Sequence, residues 1–207
     1  MTINAACKIK KAMMIVGLAA GLSSCSLFSP VNLTNQNTYL LNTLPLHVTQ
    51  KRTRSIILLV MPPSSRPVYN TTQMAYSTKP HQIAYFSQNQ WAETPAQMWS
   101  PLLVQTLQHT HYFRLVTTPP YAAHYDYILN TQILQLEQNF TCQPAMLEFA
   151  VNVQIIKTST NRVVAAKQFY IQEPMLQKTP YYGVLAANLA AAGLLKQIAG
   201  FCVSHIR

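Results

Sequence analysis

The chain has 207 residues, about half of them hydrophobic, with fifteen basic residues, five acidic residues and five glycines, and a formal net charge of +10. That length suits one compact domain with appendages, and so apolar a composition excludes wholesale disorder. Scarce carboxylates argue against acid–base catalysis, and scarce glycine argues against a phosphate-cradling loop.

The first residues read as a targeting leader. Lys8, Lys10 and Lys11 form a basic start, and Ala12–Leu22 follow as eleven uncharged residues. That run is too short to span a bilayer, which takes about 20 residues, but it fits the apolar region of a signal peptide. Leu22-Ser23-Ser24-Cys25 then resembles a bacterial lipobox, in which small side chains precede a cysteine that is lipidated and becomes the first mature residue. The alternatives are an ordinary secretory signal or a short core helix with a buried cysteine. The ordered set of lysines, apolar run, lipobox and polar tether favours lipidation of Cys25. Ser26 at the next position, by resemblance to lipoprotein sorting signals, points to the periplasmic face of the outer membrane of a Gram-negative cell. The reading is therefore a leader over 1–24, an anchor and tether over 25–36, and a single domain over 37–207. Loss of the three leader lysines leaves twelve basic against five acidic residues, a net charge of +7. An exported basic chain meets membrane and protein rather than nucleic acid. The densest basic stretch, Lys51, Arg52 and Arg54, reads as a solvated strand flank.

Along the domain, 38–47 reads as a first strand. Residues 55–61 (SIILLVM), closed by Pro62-Pro63, read as a strand buried on both faces. Turn residues and isolated aromatics then suggest short strands in a long connection, followed by a strand over 83–88. Thr94-Pro95 sets an N-cap and first helical residue, and Trp99, Leu102, Leu103 and Leu107 keep helical spacing. Pro101 predicts a bend or restart in that helix. A strand over 112–116 comes next, then two long strands, 125–140 and 145–157, joined by a turn near Cys142-Gln143-Pro144. In the second, Leu147, Phe149, Val151, Val153 and Ile155 alternate with Glu148, Asn152 and Gln154, which buries one face and wets the other. A strand over 163–172 and an Ala/Leu-rich helix from Pro180 to about Val203 complete the domain. Asn188, Lys196 and Gln197 mark that helix as packed rather than membrane-spanning. The order predicts an α+β fold, with a mostly antiparallel sheet and two main helices packed on one face.

No nucleophile elbow, phosphate loop, dinucleotide fingerprint or zinc-helix motif is present, and neither cofactor nor metal is expected. His109 and His111 could share a metal from one strand face, but they suit the C-terminus of the preceding helix better. Asp126 reads as a strand-start residue rather than part of a triad. Once Cys7 leaves with the leader, Cys142 and Cys202 remain as a candidate disulfide in an oxidising compartment, or as free thiols. Tyr69, Tyr76, Tyr85, Phe86, Trp91 and the nearby Glu93 crowd one region and form a candidate partner or subunit interface. For Trp91, core packing is the competing reading.

The segments NTYLLNTLP (37–45), IILLVMPPSSRPVYN (56–70), IAYFSQNQWAETP (83–95) and YDYILNTQILQLEQNF (125–140) together resemble the ABC-type transport auxiliary lipoprotein family, of the PqiC type. The resemblance covers about 37–205. The chain departs from the family pattern at Thr94, which separates the glutamate from the proline, at Pro101, and at Asn42, where small residues are common. The resemblance implies a non-enzymatic, ring-forming homo-oligomer. It further implies a partner containing an MCE domain and an ABC permease, in a system that moves lipid between membranes. The competing readings are a structural or regulatory lipoprotein of another envelope machine, such as a secretion system or cell-wall synthase, and an envelope hydrolase.

Overall fold

The computed structural model describes residues 36–207, so the leader, Cys25 and nearly all of the tether lie outside the described residues. Asn35–Arg207 form one compact unit. Its strands are β1 (Asn37–Tyr39), β2 (Arg54–Val60), β3 (Ser64–Ser65), β4 (Gln73–Ser77), β5 (Ala84–Trp91), β6 (Phe113–Thr117), β7 (Tyr127–Asn139), β8 (Met146–Lys157) and β9 (Arg162–Pro174). Its helices are α1 (Pro95–Gln108) and α2 (Pro180–His205), and a 3₁₀ turn spans Pro67–Tyr69.

All nine strands join in one sheet organised on β7. One edge of β7 pairs in succession with β2, β3 and β4, all parallel to it, at Leu58–Val60, Ser64–Ser65 and Ala75–Ser77. The other edge carries β8 and then β9, in long antiparallel ladders. β6 flanks β2 in parallel, β4 and β5 form an antiparallel hairpin, and β1 lies parallel to β5. The sheet is thus mixed, with five of its eight strand pairings parallel, and the expectation of a mostly antiparallel sheet is corrected. The regular alternation of the second half does report antiparallel hairpins. In the first half the continuous apolar run of β2 is that of a parallel strand buried on both faces, but β1, β3 and β4 are too short to show their direction in a hydrophobic pattern.

Both helices cover one face. On β8, Leu147, Phe149, Val151, Val153 and Ile155 are at most 1% exposed and form the floor of the core, while the intervening residues face outward. Trp99 of α1 meets Phe149 edge-on at 5.2 Å between ring centroids. α1 begins where expected: the Gln97 Oε1 accepts from the Thr94 backbone N–H at 3.0 Å and from the Thr94 hydroxyl at 2.8 Å. It continues through Pro101, which sits exposed on the outer side, so the helix does not restart there.

α2 packs by an inner stripe that includes Gly183, Ala187, Ala190, Ala191, Leu194 and Ile198. A Cβ added at Gly183 would fall on the side-chain amide of buried Gln138, which would have to shift for a larger residue to sit this close to β7. At the other end, the Tyr112 hydroxyl donates to the Ile206 carbonyl and the Tyr127 hydroxyl to the Arg207 carbonyl, each at 2.7 Å. Among the described residues α2 is the one helix long and apolar enough to cross a membrane, but half of its most apolar stretch is buried in this core. It is a packed helix.

Only Thr38 and Tyr39 of the first predicted strand, with Asn37 before them, pair in the sheet; the following residues are held by Asn188 of α2 instead. The Asn188 Oδ1 accepts from the Asn42 N–H, the Thr43 N–H and the Thr43 hydroxyl at 2.9–3.1 Å, and its Nδ2 donates to the Leu40 carbonyl at 3.0 Å.

Cys142 and Cys202 are free thiols, so the candidate disulfide is not formed. Cys142 lies in the turn beyond the far end of β7, whereas Cys202 lies at the end of α2 held against Tyr112 and Tyr127 at the start of β7. The thirteen residues of β7 separate them, roughly 40 Å at about 3.3 Å per residue, whereas a disulfide needs Cα atoms within about 7 Å. Complete burial pushes the Cys202 thiol up to about 12, which keeps it protonated and unreactive. Iodoacetamide applied to the native domain is expected to modify Cys142 and spare Cys202. Guanidinium without reductant should then expose Cys202 to modification, and mass spectrometry of the peptides distinguishes this from a bonded pair.

Candidate functional site

Two of the five acidic residues meet on the face of the sheet that the helices leave uncovered. β7 alternates with Tyr127, Leu129, Thr131 and Ile133 inward, then slips by one residue at Leu134 against β8. This bulge reverses the phase: Leu136 turns inward, while Gln135 and Glu137 turn to the open face. Glu137 then stands directly opposite Glu148 of β8.

Like charges in that position repel, and neutral donors compensate. The Gln135 Nε2 donates to Glu137 at 3.0 Å and also to Glu148. Asn139 Nδ2 and Gln172 Nε2 donate to the Glu148 Oε1 at 2.9 and 3.2 Å. The Tyr69 hydroxyl donates to the Glu137 Oε2 at 3.0 Å. The one ion pair among the described residues is His124–Asp126, so neither glutamate has a lysine or arginine nitrogen within 4.0 Å. Arg66, Lys79 and His81 stand on the walls of a cleft of about 420 Å³ that includes Tyr69 and Glu137. Burial, with the Glu137 carboxylate beside it, raises Tyr69 well above the ordinary tyrosine range; partial burial and Glu148 raise Tyr170 as well. The arrangement is a half-buried negative patch on a basic protein, its carboxylates fixed by hydrogen bonds and open to a cation from outside.

The six residues expected to form one interface divide. Tyr69 and Tyr85 belong to the open face; the Tyr85 hydroxyl donates to the Val68 carbonyl at 3.0 Å, and Ala75 aligns Tyr85 with Glu137. Tyr76 and Phe86 stack at 4.4 Å on the opposite face, with Phe140 edge-on to both. Trp91 is 3% exposed and belongs to the core, while Glu93 is exposed on the loop before α1. Sequence reasoning missed Glu137, Gln135 and Tyr170. A hairpin centred on Cys142-Gln143 does put residue 137 opposite 148, so a register drawn through that turn would have found the pair.

The remaining candidates are structural. His109 is the C-cap residue of α1, and His111 is exposed with φ of 52°. No group of three His, Cys, Asp or Glu side chains gathers as a metal site among the described residues. Asp126 clamps two strands: its Oδ2 accepts from the Ile57 N–H at 2.8 Å, and its own N–H donates to the Ile57 carbonyl at 3.0 Å. Lys51, Arg52 and Arg54 are exposed, together with Arg207, around a separate cleft at the opposite end of β7.

A family model described as "ABC-type transport auxiliary lipoprotein component" matches residues 39–199. No curated protein matches the chain in sequence. Among solved structures, the chain is similar to protein XCC0632 from Xanthomonas campestris, with a TM-score of 0.72 and 17% identity over 82% of this chain and 96% of that one. A second, uncharacterised protein gives a TM-score of 0.65 at 13% identity, covering 81% and 98% of the two chains. The hypothetical protein CT253 from Chlamydia trachomatis gives 0.51 at 8% identity, covering 73% and 98%. At these identities the likeness is one of fold.

The raised Tyr69 hydroxyl sets an alkaline limit on stability. The folded chain holds that proton more tightly than the unfolded chain, so its contribution is complete below the ordinary value of 10.0 and is lost as pH rises beyond it. The slope of the loss is up to about 1.4 kcal/mol per pH unit. Tyr69→Phe should cost about 1–2 kcal/mol near pH 8, where the bond to Glu137 is broken. The gap should narrow by pH 11 in urea titrations run at both pH values.

Proposed function

The chain belongs to the ABC-type transport auxiliary lipoprotein family, and from that premise we propose that it is a non-enzymatic, outer-membrane-anchored component of an MCE/ABC-type system that moves lipid between membranes. The observation that carries this reading is the Glu137–Glu148 patch. A pair of opposed carboxylates, held by Gln135, Asn139, Gln172 and Tyr69 and with no lysine or arginine nitrogen within 4.0 Å among the described residues, suits the lysine or arginine of a protein partner. Carboxylates fixed by neutral donors on the open face of a sheet suit the docking of a basic partner. The leader and Cys25 support attachment to a membrane, Ser26 supports the outer one, and the short tether keeps the domain on the periplasmic side. In this reading the domain is the fixed periplasmic station of the transport assembly, several copies acting together, and the patch is where the MCE-type protein engages.

Affinity capture of the lipidated protein from native membranes, followed by mass spectrometry, is expected to recover an MCE-domain protein and an ABC permease. The double variant Glu137→Gln/Glu148→Gln keeps the shape of the site and should lose the partner at least about tenfold, the cost of breaking one well-formed charge pair across an interface. Recovery of the wild-type protein with neither subunit overturns the assignment.

A further inference from the structure

The outer side of α2 is apolar where a soluble helix would be polar. Tyr181, Leu185 and Leu189 are 52%, 41% and 59% exposed and follow one another at helical spacing, so they form a single stripe. Leu40, 50% exposed, is fastened beside the stripe because its carbonyl accepts from Asn188. The stripe also marks where the chain joins the domain: the ring of Tyr39 lies 6.2 Å from that of Tyr181. Only eleven residues lie between Cys25 and Asn37, a reach of about 40 Å when fully extended. From Pro174 to Arg207 the sequence has no aspartate or glutamate, but it includes Lys178, Lys196 and Arg207.

We propose that this stripe, Tyr181, Leu185 and Leu189 with Leu40, is a lipid-docking face that lies in the headgroup region of the membrane to which Cys25 is tied. The inference rests on the anchoring read from the leader. Leucines beneath a tyrosine, flanked by lysine and free of carboxylates along α2, match the interfacial zone, where a helix lies flat with its apolar side buried about 5–10 Å. The short tether selects the bilayer as the surface always within reach. Tethering makes the contact intramolecular at an effective concentration in the millimolar range, so four side chains suffice where free association would fail.

The test uses the mature chain from residue 25, in a Cys142→Ser background, with Leu185→Cys or Val163→Cys labelled by an environment-sensitive fluorophore; Val163 is exposed on β9, level with the far end of α2. The chain is displayed on phosphatidylethanolamine–phosphatidylglycerol vesicles in two ways. One display uses its own acyl anchor, and the other uses Cys25→Ser with an N-terminal polyhistidine tag on nickel-chelating lipid. Doxyl-labelled lipid is expected to quench the label at residue 185 about threefold more than at 163 in the tagged display, as for a side chain at interfacial depth. Leu189→Gln with Leu40→Gln should erase the difference without moving Tm, because both positions are exposed. Equal quenching at 185 and 163 overturns the docking face, and so does a label at 185 that only a second copy of the chain shields. Failure of the acyl-anchored form alone to float with vesicles would instead overturn the anchor, while the tagged display still decides the docking.

Discussion

The fold depends on satisfying both edges of one long strand. β7 presents thirteen residues of backbone donors and acceptors, and a buried strand cannot leave them unpaired. β8 answers one edge along its whole length. The other edge is tiled by three short segments separated by Pro62-Pro63 and by the 3₁₀ turn at Pro67–Tyr69. Proline cannot donate to a ladder, so those breaks divide β2, β3 and β4. Met61 and Arg66 bridge the gaps, their N–H groups donating to the Leu129 and Ile133 carbonyls. The mixed direction of the sheet follows: three segments must run along the same edge of the same strand, and all three run parallel to it.

The bulge at Leu134 turns this frame into a site. Without it, the phase that buries Ile133 would also bury Gln135 and Glu137 under α2. With it, Leu136 fills the core and Glu137 reaches the open face. Gln138 turns back beneath Gly183, its Nε2 donating to the Pro180 carbonyl at 3.2 Å. One extra residue thus fixes both the approach of α2 and the placement of a carboxylate. The charge economy of the chain gives this weight. Of five acidic residues, Asp126 clamps Ile57 and two others are set directly against each other, their repulsion offset by the donors of Tyr69, Gln135, Asn139 and Gln172.

Much of the fold is legible in the sequence where a physical signal is local. The strict alternation of β8 gives its buried face residue by residue, Thr94-Pro95 starts α1 as expected, and Pro180 opens α2. What is not legible depends on distant partners. Residues 40–43 look like a strand because their pattern suits one, yet Asn188, almost 150 positions later, takes their hydrogen bonds. Cys142 and Cys202 look like a pair by elimination, and only the course of β7 separates them. The aromatic cluster is adjacent in sequence, but the β4–β5 hairpin sends alternate residues to opposite faces, so Tyr85 joins Glu137 while Tyr76 and Phe86 meet Phe140.

The two faces of the domain constrain one another. α2 packs its inner stripe on the sheet, so its outer stripe looks away from the strands, and the Glu137–Glu148 patch lies on the far side of the same sheet. A membrane against Tyr181, Leu185 and Leu189 would therefore stand one helix and one sheet below the carboxylates, roughly 20 Å given helix and sheet layers of about 10 Å each. In that pose the patch points into the periplasm rather than at lipid. That orientation serves a carboxylate pair well: negative charge is kept away from anionic headgroups and offered to a basic partner arriving from the opposite side. A patch on the helix side would be screened or repelled by the bilayer. The placement of both helices on one face, set by packing alone, would thus let a single small domain hold a membrane on one side and a protein on the other.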